Sequence, residues 1–315
     1  MGSFRLAVGL ALVAMPSFAA CGVDDESPGD ENGSEAPAPA IRIQDDAGRE
    51  VTLSEPPERI VSLVPSATET LVALGAGDRL VARTDYDTLP RLRSLPSVGG
   101  GLHPNLERLV ALGPDLVIRF AGPSDRSTPS RLTELGIPHL AVRPDGIEDV
   151  RRIVRMMGQV ARVPNRADSL VAEMDSTLSR IAGRVGSRPP RRVAFVLGGS
   201  PPWVAGPGTF VDELIHLAGG RNAFSDLGDL YGPVSREAFV ARDIDLVLTT
   251  RRGELDFVPS DIPVRRVPAG VETPGLDLGE SARILARILH PDAFPTDSVS
   301  SEAPPPEAST RTSAR

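Results

Sequence analysis

Apolar positions along residues 41–290 follow two alternating periods. Short apolar runs rich in β-branched residues predict strands, and apolar positions every three or four residues predict the helices between them. Strands that alternate with helices are typical of parallel sheets covered on both faces. The predicted elements include a hairpin over 41–55, a strand over 60–64, strands over 116–118 and 246–248, and a last helix over 278–289.

The sequence makes two further predictions about helices: how the helix after residue 65 begins, and how the helical region over 147–185 connects the flanking segments. Ser66, with Glu69 three residues on, has the spacing of a capping box before an apolar helix. The longest helical periodicity runs over 147–163 and resumes over 165–185. This region is either two ordinary surface helices or a rigid helical strut between two lobes. We favour the strut, because no Gly/Ser linker separates the flanking segments.

One stretch of the chain occurs twice. Asn105–Ile118 returns without a gap as Ser235–Leu248. Each copy opens with a residue suited to cap a helix and places a glutamate, Glu107 or Glu237, in the first helical turn. The duplication predicts an α/β fold of two related lobes with central parallel sheets, joined by a long rigid helix, with a ligand cleft between the lobes.

Composition divides the chain into folded and unfolded parts. The acidic stretch after Cys21 and the Pro/Ser/Thr-rich end lack apolar periodicity, so neither is expected to fold. The predicted organisation is a signal peptide over 1–20, a disordered tether over 21–40, an N-terminal lobe over 41–146, a helical connector over 147–190, a C-terminal lobe over 191–290 and a disordered tail over 291–315.

Charge and residue usage exclude several classes of function. A net charge of −8 without a dense basic stripe argues against binding to nucleic acid. The chain has one cysteine and four scattered histidines, and it lacks a nucleophile elbow and a phosphate-binding loop. These features favour a binding protein without a resident cofactor over an enzyme.

Cys21 lies at the end of a secretory signal. It follows Arg5, the apolar run Leu6–Met15 and two alanines, and the run is too short to span a bilayer. The site resembles the lipobox of bacterial lipoproteins, although Phe18 stands where leucine is usual. The alternative is an ordinary signal peptide with an incidental cysteine. A lipid on Cys21 implies the bacterial cell envelope, either the periplasm or the outer face of the cytoplasmic membrane.

Over about residues 45–290 the chain resembles the ABC-importer substrate-binding proteins that are built on a helical backbone. These proteins receive vitamin B12, haem and iron–siderophores, and the similarity is greatest to the members that bind vitamin B12. The motifs that carry the resemblance are Asp46–Val51, Arg59–Glu69, Val98–Gly100, Pro104–Glu107, Pro114–Val117, Pro201–Trp203 and Val234–Glu237.

The resemblance implies roles for both repeated glutamates. In this family one surface glutamate on each lobe docks into arginine-lined pockets of the two permease subunits, and Glu107 and Glu237 occupy those positions. Either glutamate alone would also be explained by its favourable place in a helix dipole. The implied partners are a permease dimer and its ATPase subunits, and the protein is expected to act as a monomer.

The family's ligand cleft is lined by aromatic side chains from both lobes. Gly101 stands where these proteins have a tryptophan, and Asp85 with Tyr86 falls near another aromatic position. The residues expected to contact the ligand are Asp85, Tyr86, Gly100, Gly101, Phe120, Trp203, Tyr231 and Arg251.

Two further candidate ligand contacts could equally be ordinary surface residues. His103 is either a solvated loop residue or an axial ligand to cobalt or iron, and the first is more common. Arg251 and Arg252 follow a strand at the edge where parallel sheets bind ligands, but such pairs also occur on plain surfaces.

The expected ligand is a corrinoid, with haem or a ferric siderophore as the alternative of the same class. A chelatase-like enzyme and a ligand-free envelope scaffold are the alternatives of other classes. An enzyme would need convergent histidines and acids, and a scaffold would not need aromatic residues from both lobes at one cleft.

Overall fold

The structure is a computed structural model that describes residues 40–122 and 127–295. The predicted signal peptide, Cys21 and nearly all of the tether lie outside the described residues, as does the tail beyond residue 295. Within the described ranges, no helix combines enough length and hydropathy to cross a bilayer.

The first lobe contains a small hairpin and a parallel sheet. The elements of this lobe are β1 (Ile41–Gln44), β2 (Glu50–Leu53), β3 (Ile60–Ser62), α1 (Pro65–Ala73), β4 (Leu80–Ala82), α2 (Leu106–Ala111), β5 (Leu116–Phe120), α3 (Ser127–Glu134) and β6 (His139–Val142). The sheet has the strand order β4-β3-β5-β6, with every neighbouring pair parallel.

The predicted capping box at the start of α1 is wrong. The helix begins at Pro65, and its N-cap residue, Val64, forms no side-chain cap. Proline suits the first helical position, because its fixed φ is already helical and the N–H it lacks would have no partner there. Ser66 therefore lies inside the first turn, where it is buried, and Glu69 is left free for another role.

The connector consists of two antiparallel helices, α4 (Ile147–Ala161) and α5 (Pro164–Val185). Arg162 between them adopts a left-handed conformation with φ of 61°. The pair packs closely at Gly158, where an added Cβ would lie 2.4 Å from the Cβ of Ala167. Helix α4 packs on the first lobe and α5 on the second, so the helical strut predicted between the lobes is a hairpin rather than one rod.

The second lobe is built around a mixed sheet. The elements of this lobe are β7 (Arg191–Gly198), β8 (Trp203–Ala205), α6 (Phe210–Leu217), β9 (Gly220–Asn222), β10 (Tyr231–Pro233), α7 (Arg236–Val240), β11 (Leu246–Thr249), β12 (Val264–Arg266) and α8 (Leu278–Leu289). Strands β7, β9, β11 and β12 are parallel, whereas β8 and β10 form an antiparallel edge.

The tail was predicted to start at residue 291, but the packed structure continues to Phe294. That ring is only 7% exposed, and the Arg184 guanidinium lies 4.5 Å above it. Arg184 also donates a hydrogen bond of 2.7 Å to the carbonyl oxygen of Ala293. Burial of an aromatic ring explains why the chain stays packed beyond the last predicted helix.

The two copies of the repeat adopt the same local structure. Asn105 and Ser235 cap α2 and α7, accepting hydrogen bonds from backbone N–H groups at 2.9 and 3.1 Å. Asp115 and Asp245, which precede β5 and β11, accept backbone N–H hydrogen bonds at the start of the neighbouring strand, from the residue just before β3 at 3.0 Å and from the second residue of β7 at 2.7 Å. The duplicated aspartates therefore fix how adjacent strands of each sheet begin.

Candidate ligand-binding cleft

Three adjoining cavities form a cleft between the lobes. The first, here called the apolar cavity, has a volume of about 370 Å³ and is lined by Leu63, Val64, Pro65, Tyr86, Gly101, Leu102 and Phe120. Nearly all of its surface is contributed by carbon, which suits the flat face of a large ring system.

The second, here called the acidic cavity, has a volume of about 480 Å³. Both lobes line it, and it shares Pro65 and Tyr86 with the apolar cavity. Its lining residues are Pro65, Glu69, Asp85, Tyr86, Thr88, Ala269, Gly270, Glu272, Thr273, Gly275 and Asp277.

Glu69 is the half-buried carboxylate of the acidic cavity. Burial raises the pKa of Glu69, and the negative charges of Asp277 and Asp87 raise it further. Asp277 belongs to the second lobe, so carboxylates from both lobes influence one another across the cleft. A ligand that offers positive charge or N–H groups here would relieve this repulsion.

The third, here called the inner cavity, has a volume of about 250 Å³ and shares Phe120 with the apolar cavity and Glu272 with the acidic cavity. Tyr231 lies here, half-buried. Burial raises the pKa of the Tyr231 phenol, and the carboxylates of Asp145 and Glu272 add to the effect. The phenol therefore stays neutral and can donate a hydrogen bond.

Every charged residue among the described residues that line the three cavities is acidic. Within the part of the chain that the structure describes, only one of these acidic residues forms an ion pair with an arginine: Asp145 pairs with Arg143 at 2.6 Å. The acidic lining residues are Glu69, Asp85, Asp145, Glu272 and Asp277. The cleft thus combines an apolar region with an adjoining negatively charged region.

Several of the predicted ligand-contact residues line the cleft, and others lie beside it. Tyr86, Phe120 and Tyr231 line the cleft, as do Asp85 and Gly101. Tyr86 is 68% exposed, so most of its ring is available to a ligand. Phe120 lies at the junction of two cavities and also packs against the core.

Trp203 and Arg251 are not among the lining residues of these cavities. Trp203 is 46% exposed on β8, opposite Gly198 at the carboxyl end of β7. The Arg251 side chain donates to the carbonyl oxygen of Leu197, a residue that lines the inner cavity. Both side chains therefore lie next to the cleft, at the edge of the second sheet.

The backbone at Gly101 packs so closely against Leu63 that only glycine fits. A Cβ at this position would lie 2.2 Å from the carbonyl oxygen of Leu63, which is a severe clash. At Gly100 an added Cβ would meet only the Tyr86 ring, at 3.8 Å. Where the family has a tryptophan, Leu102 and Tyr86 supply apolar surface beside Gly101.

The remaining candidates lie on the surface. His103 and Arg252 are exposed, and neither lines the three cavities. Among the described residues, no group of three or more metal-ligating side chains converges on one point. Glu272 and Asp277 were not predicted as site residues, because they lie in a segment without apolar periodicity, and Glu69 was predicted as part of a helix cap.

Glu107 and Glu237 are both exposed near the carboxyl edges of their sheets. Ahead of α2, Asn105 donates its backbone N–H to Val98 at 2.7 Å, and Val98 donates to Arg83, just beyond β4, at 2.9 Å. The pKa of Glu237 is lowered by hydrogen bonding to its own backbone and to the Ser235 side chain. Both glutamates are therefore accessible on the side of the molecule where the cleft opens.

Comparisons with known proteins agree with this architecture. The family of periplasmic binding proteins matches residues 60–272. The ABC transporter substrate-binding lipoprotein YvrC of Bacillus subtilis is 28% identical over 306 residues, covering 90% of this chain and 96% of that protein. A vitamin B12-binding protein of Yersinia pestis is 29% identical over 194 residues, 61% of this chain and 69% of that protein.

Solved structures show the same fold. The periplasmic haem-binding protein RhuT of Roseiflexus matches with a TM-score of 0.66 and 26% identity, covering 75% of this chain and 99% of that one. This protein therefore belongs to the periplasmic binding protein family and is a substrate-binding protein of the ABC-transporter class, a non-enzymatic transport component.

Proposed function

We propose that the protein captures a corrinoid, vitamin B12 or a related compound, in the cleft between its lobes and delivers it to an ABC-importer permease. The vitamin B12-binding relative supports a corrinoid, since it is similar over 69% of its own length. The apolar cavity supports a ligand with a flat ring, and Tyr86 and Phe120 are suited to pack against it.

The negative charge of the cleft is the observation that favours a corrinoid over the other ligands. Its described lining has carboxylates and no basic side chain. Haem carries two propionates, and ferric catecholates are strongly anionic, so either would bring like charges together in a partly desolvated space. A corrin ring is surrounded by neutral amides, whose N–H groups donate well to carboxylates such as Glu69 and Glu272.

Haem or a ferric siderophore is the alternative within the same class. The haem-binding relative RhuT favours haem, since it shares 26% identity with this chain. Arg251 and Arg252 are exposed beside the cleft and are the side chains suited to meet propionates. Binding of a corrinoid should therefore depend on the carboxylates of the cleft, whereas binding of haem should depend on Arg251 and Arg252 beside it.

Titration of the purified full-length protein with cyanocobalamin, haemin and a ferric catecholate distinguishes these ligands. Trp203 is the only indole, so quenching of its fluorescence reports a ligand bound nearby. We expect cyanocobalamin to bind and to bind more weakly to the Glu69→Gln, Glu272→Gln double variant, while an Arg251→Gln, Arg252→Gln variant keeps its affinity. Binding of haemin without binding of cyanocobalamin would contradict the corrinoid.

The proposal includes a lipid anchor on Cys21 and a place in the cell envelope. It is supported by the signal-like sequence before Cys21 and by the lipoprotein relative YvrC. In a detergent-phase partition of host cells, the wild-type protein is expected in the detergent phase and Cys21→Ser in the aqueous phase. Equal partition of the two would remove the anchor from the proposal.

The last part of the proposal is delivery through Glu107 and Glu237. Since both glutamates lie outside the three cavities, replacing both with alanine should leave ligand affinity unchanged and abolish transport in reconstituted vesicles. Desolvated charge pairs at interfaces couple by about 1.5–7 kcal/mol, so loss of two should be readily measured. Transport at the wild-type rate would exclude docking through these residues.

A further inference from the structure

Two exposed valines occupy the same position in the two copies of the repeat. Val110 on α2 is 37% exposed, and Val240 on α7 is 52% exposed. Valine is a poor choice for an exposed position of a short helix, because its branched side chain loses freedom there and gains no burial. Its occurrence at both equivalent positions therefore calls for a contact that the isolated chain does not make.

Each valine belongs to a small exposed face that includes the repeated glutamate. Residues three and four apart on a helix lie side by side, so the glutamate, the valine and the alanine after it share one face. All of these residues are exposed. We call the two faces the docking stripes; they consist of Glu107, Val110 and Ala111 in the first lobe and Glu237, Val240 and Ala241 in the second.

The pattern of identity within the repeat isolates these stripes. Three other identical pairs have structural roles, since Asp115 and Asp245 hold the neighbouring strand and the two pairs that follow are buried in β5 and β11. The helix position that faces the core differs, being Leu109 in one copy and Phe239 in the other. Within the two helices, identity is thus kept at the stripe positions and lost at the others, both at the buried position and at the exposed pair Arg108 and Ala238.

Both stripes are near the cleft side of their lobes. In the first lobe, the backbone hydrogen bonds from Asn105 to Val98 and from Val98 to Arg83 connect the start of α2 to the carboxyl end of β4. On the second lobe, Val234, just ahead of α7, donates to Pro202 at 2.8 Å, and Trp203 next to Pro202 pairs with Gly198 at the carboxyl end of β7. A partner that covers the mouth of the cleft would reach both stripes at once.

We propose that the docking stripes form one duplicated docking surface, in which Val110 and Val240 provide apolar contacts beside the ion pairs of Glu107 and Glu237. Because the chain presents the same charged and apolar stripe twice, the matching partner presents the same cationic and apolar pocket twice. That partner is a twofold-symmetric permease dimer that binds one copy of this protein. The inference rests on the proposed function.

The charged and apolar contributions should respond differently to salt. Exposed charges are screened over about 8 Å at physiological ionic strength, so the contribution of the glutamates should shrink as salt is added. Burial of a valine side chain does not depend on charge. Replacing one valine with serine should weaken binding to the permease about tenfold, and replacing both about a hundredfold.

The test measures the affinity of the full-length protein for the host's permease–ATPase complexes of this importer class in nanodiscs. The variants are Val110→Ser, Val240→Ser, their combination, and the double change of Glu107 and Glu237 to glutamine. Leu135→Ser is the matched control, since Leu135 is 39% exposed on the first lobe outside the repeat. Melting temperature and ligand affinity are measured alongside and should be unchanged in all variants.

The outcomes separate this inference from the proposed function. Similar losses for the two single valine variants, persisting at high salt while the control binds like wild type, would support the docking surface. If the glutamate variant binds weakly but the valine variants match Leu135→Ser, the apolar part is wrong and delivery to a permease stands. If the wild-type protein binds none of these complexes, the proposed function itself fails.

Discussion

Tyr86→Ala is the most informative change in the cleft, because Tyr86 has little to do in the ligand-free protein. The ring lines both the apolar and the acidic cavity and is 68% exposed. Phe120, by contrast, packs against the core as well as facing the cleft, so its loss would affect folding and binding together. Truncation of Tyr86 should therefore reduce ligand affinity without changing thermal stability.

The size of the effect follows from the exposed area. A tyrosine can bury roughly 200 Å² in all. With 68% exposed in the free protein, about 140 Å² remains to be covered, and a flat ligand on one face would cover about half of it. At about 25 cal/mol per Å² this amounts to about 1.8 kcal/mol, or a dissociation constant about twentyfold higher.

Calorimetry with cyanocobalamin and a thermal melt measure the two effects separately. Tyr86→Phe is the control, since it keeps the ring and removes only the hydroxyl; it should bind within about twofold of wild type if stacking dominates. An unchanged affinity for Tyr86→Ala would refute the role of this ring. A marked fall in melting temperature would show that its exposure has been misjudged.

Three further changes test other parts of the structure. Gly101→Ala should destabilise the protein by about 1–3 kcal/mol in denaturant unfolding, because its Cβ would clash with the Leu63 carbonyl, whereas Gly100→Ala should be nearly neutral. Burial and the adjacent Arg49 lower the pKa of His139, so the stability that the neutral ring contributes is present above about pH 6.5 and is lost as the pH falls; urea unfolding of His139→Gln should be less pH-dependent. The raised pKa of Glu69 predicts that cyanocobalamin affinity declines as the pH is lowered from 7 to 5 and that Glu69→Gln removes this dependence, as calorimetry at both pH values would show.

Much of the fold was predictable because it depends on local patterns. The final helix was expected at Leu278–Leu289 and is found there, and the repeated helices and strands agree with their caps and apolar periods. These elements are set by interactions between residues close in sequence, which periodicity and capping reveal. The helical hairpin of the connector was harder to foresee, because the turn at Arg162 depends on how two helices pack at Gly158.

The cleft was predictable only in part. Its aromatic residues were found through family resemblance, but Glu272 and Asp277 enter through a loop of the second lobe whose position depends on tertiary packing. Glu69 was misread for a related reason. Its spacing from Ser66 satisfied a local rule, while the fold began the helix at Pro65 and turned the carboxylate toward the acidic cavity.

The internal symmetry of the chain is kept at the proposed docking surface and lost in the cleft. Shifted by the 130 residues that relate the repeats, Gly101 corresponds to Tyr231 and Phe120 to Thr250, so each lobe brings an aromatic residue where the other has none. A twofold partner requires equal surfaces, and Glu107 and Glu237 meet that requirement. An unsymmetrical ligand requires unequal walls, and the positions of the aromatic residues differ between the two lobes. The same duplicated fold thus supplies both the symmetrical docking surface and the unsymmetrical cleft, because surface residues and loops can change without changing the buried strands that hold them.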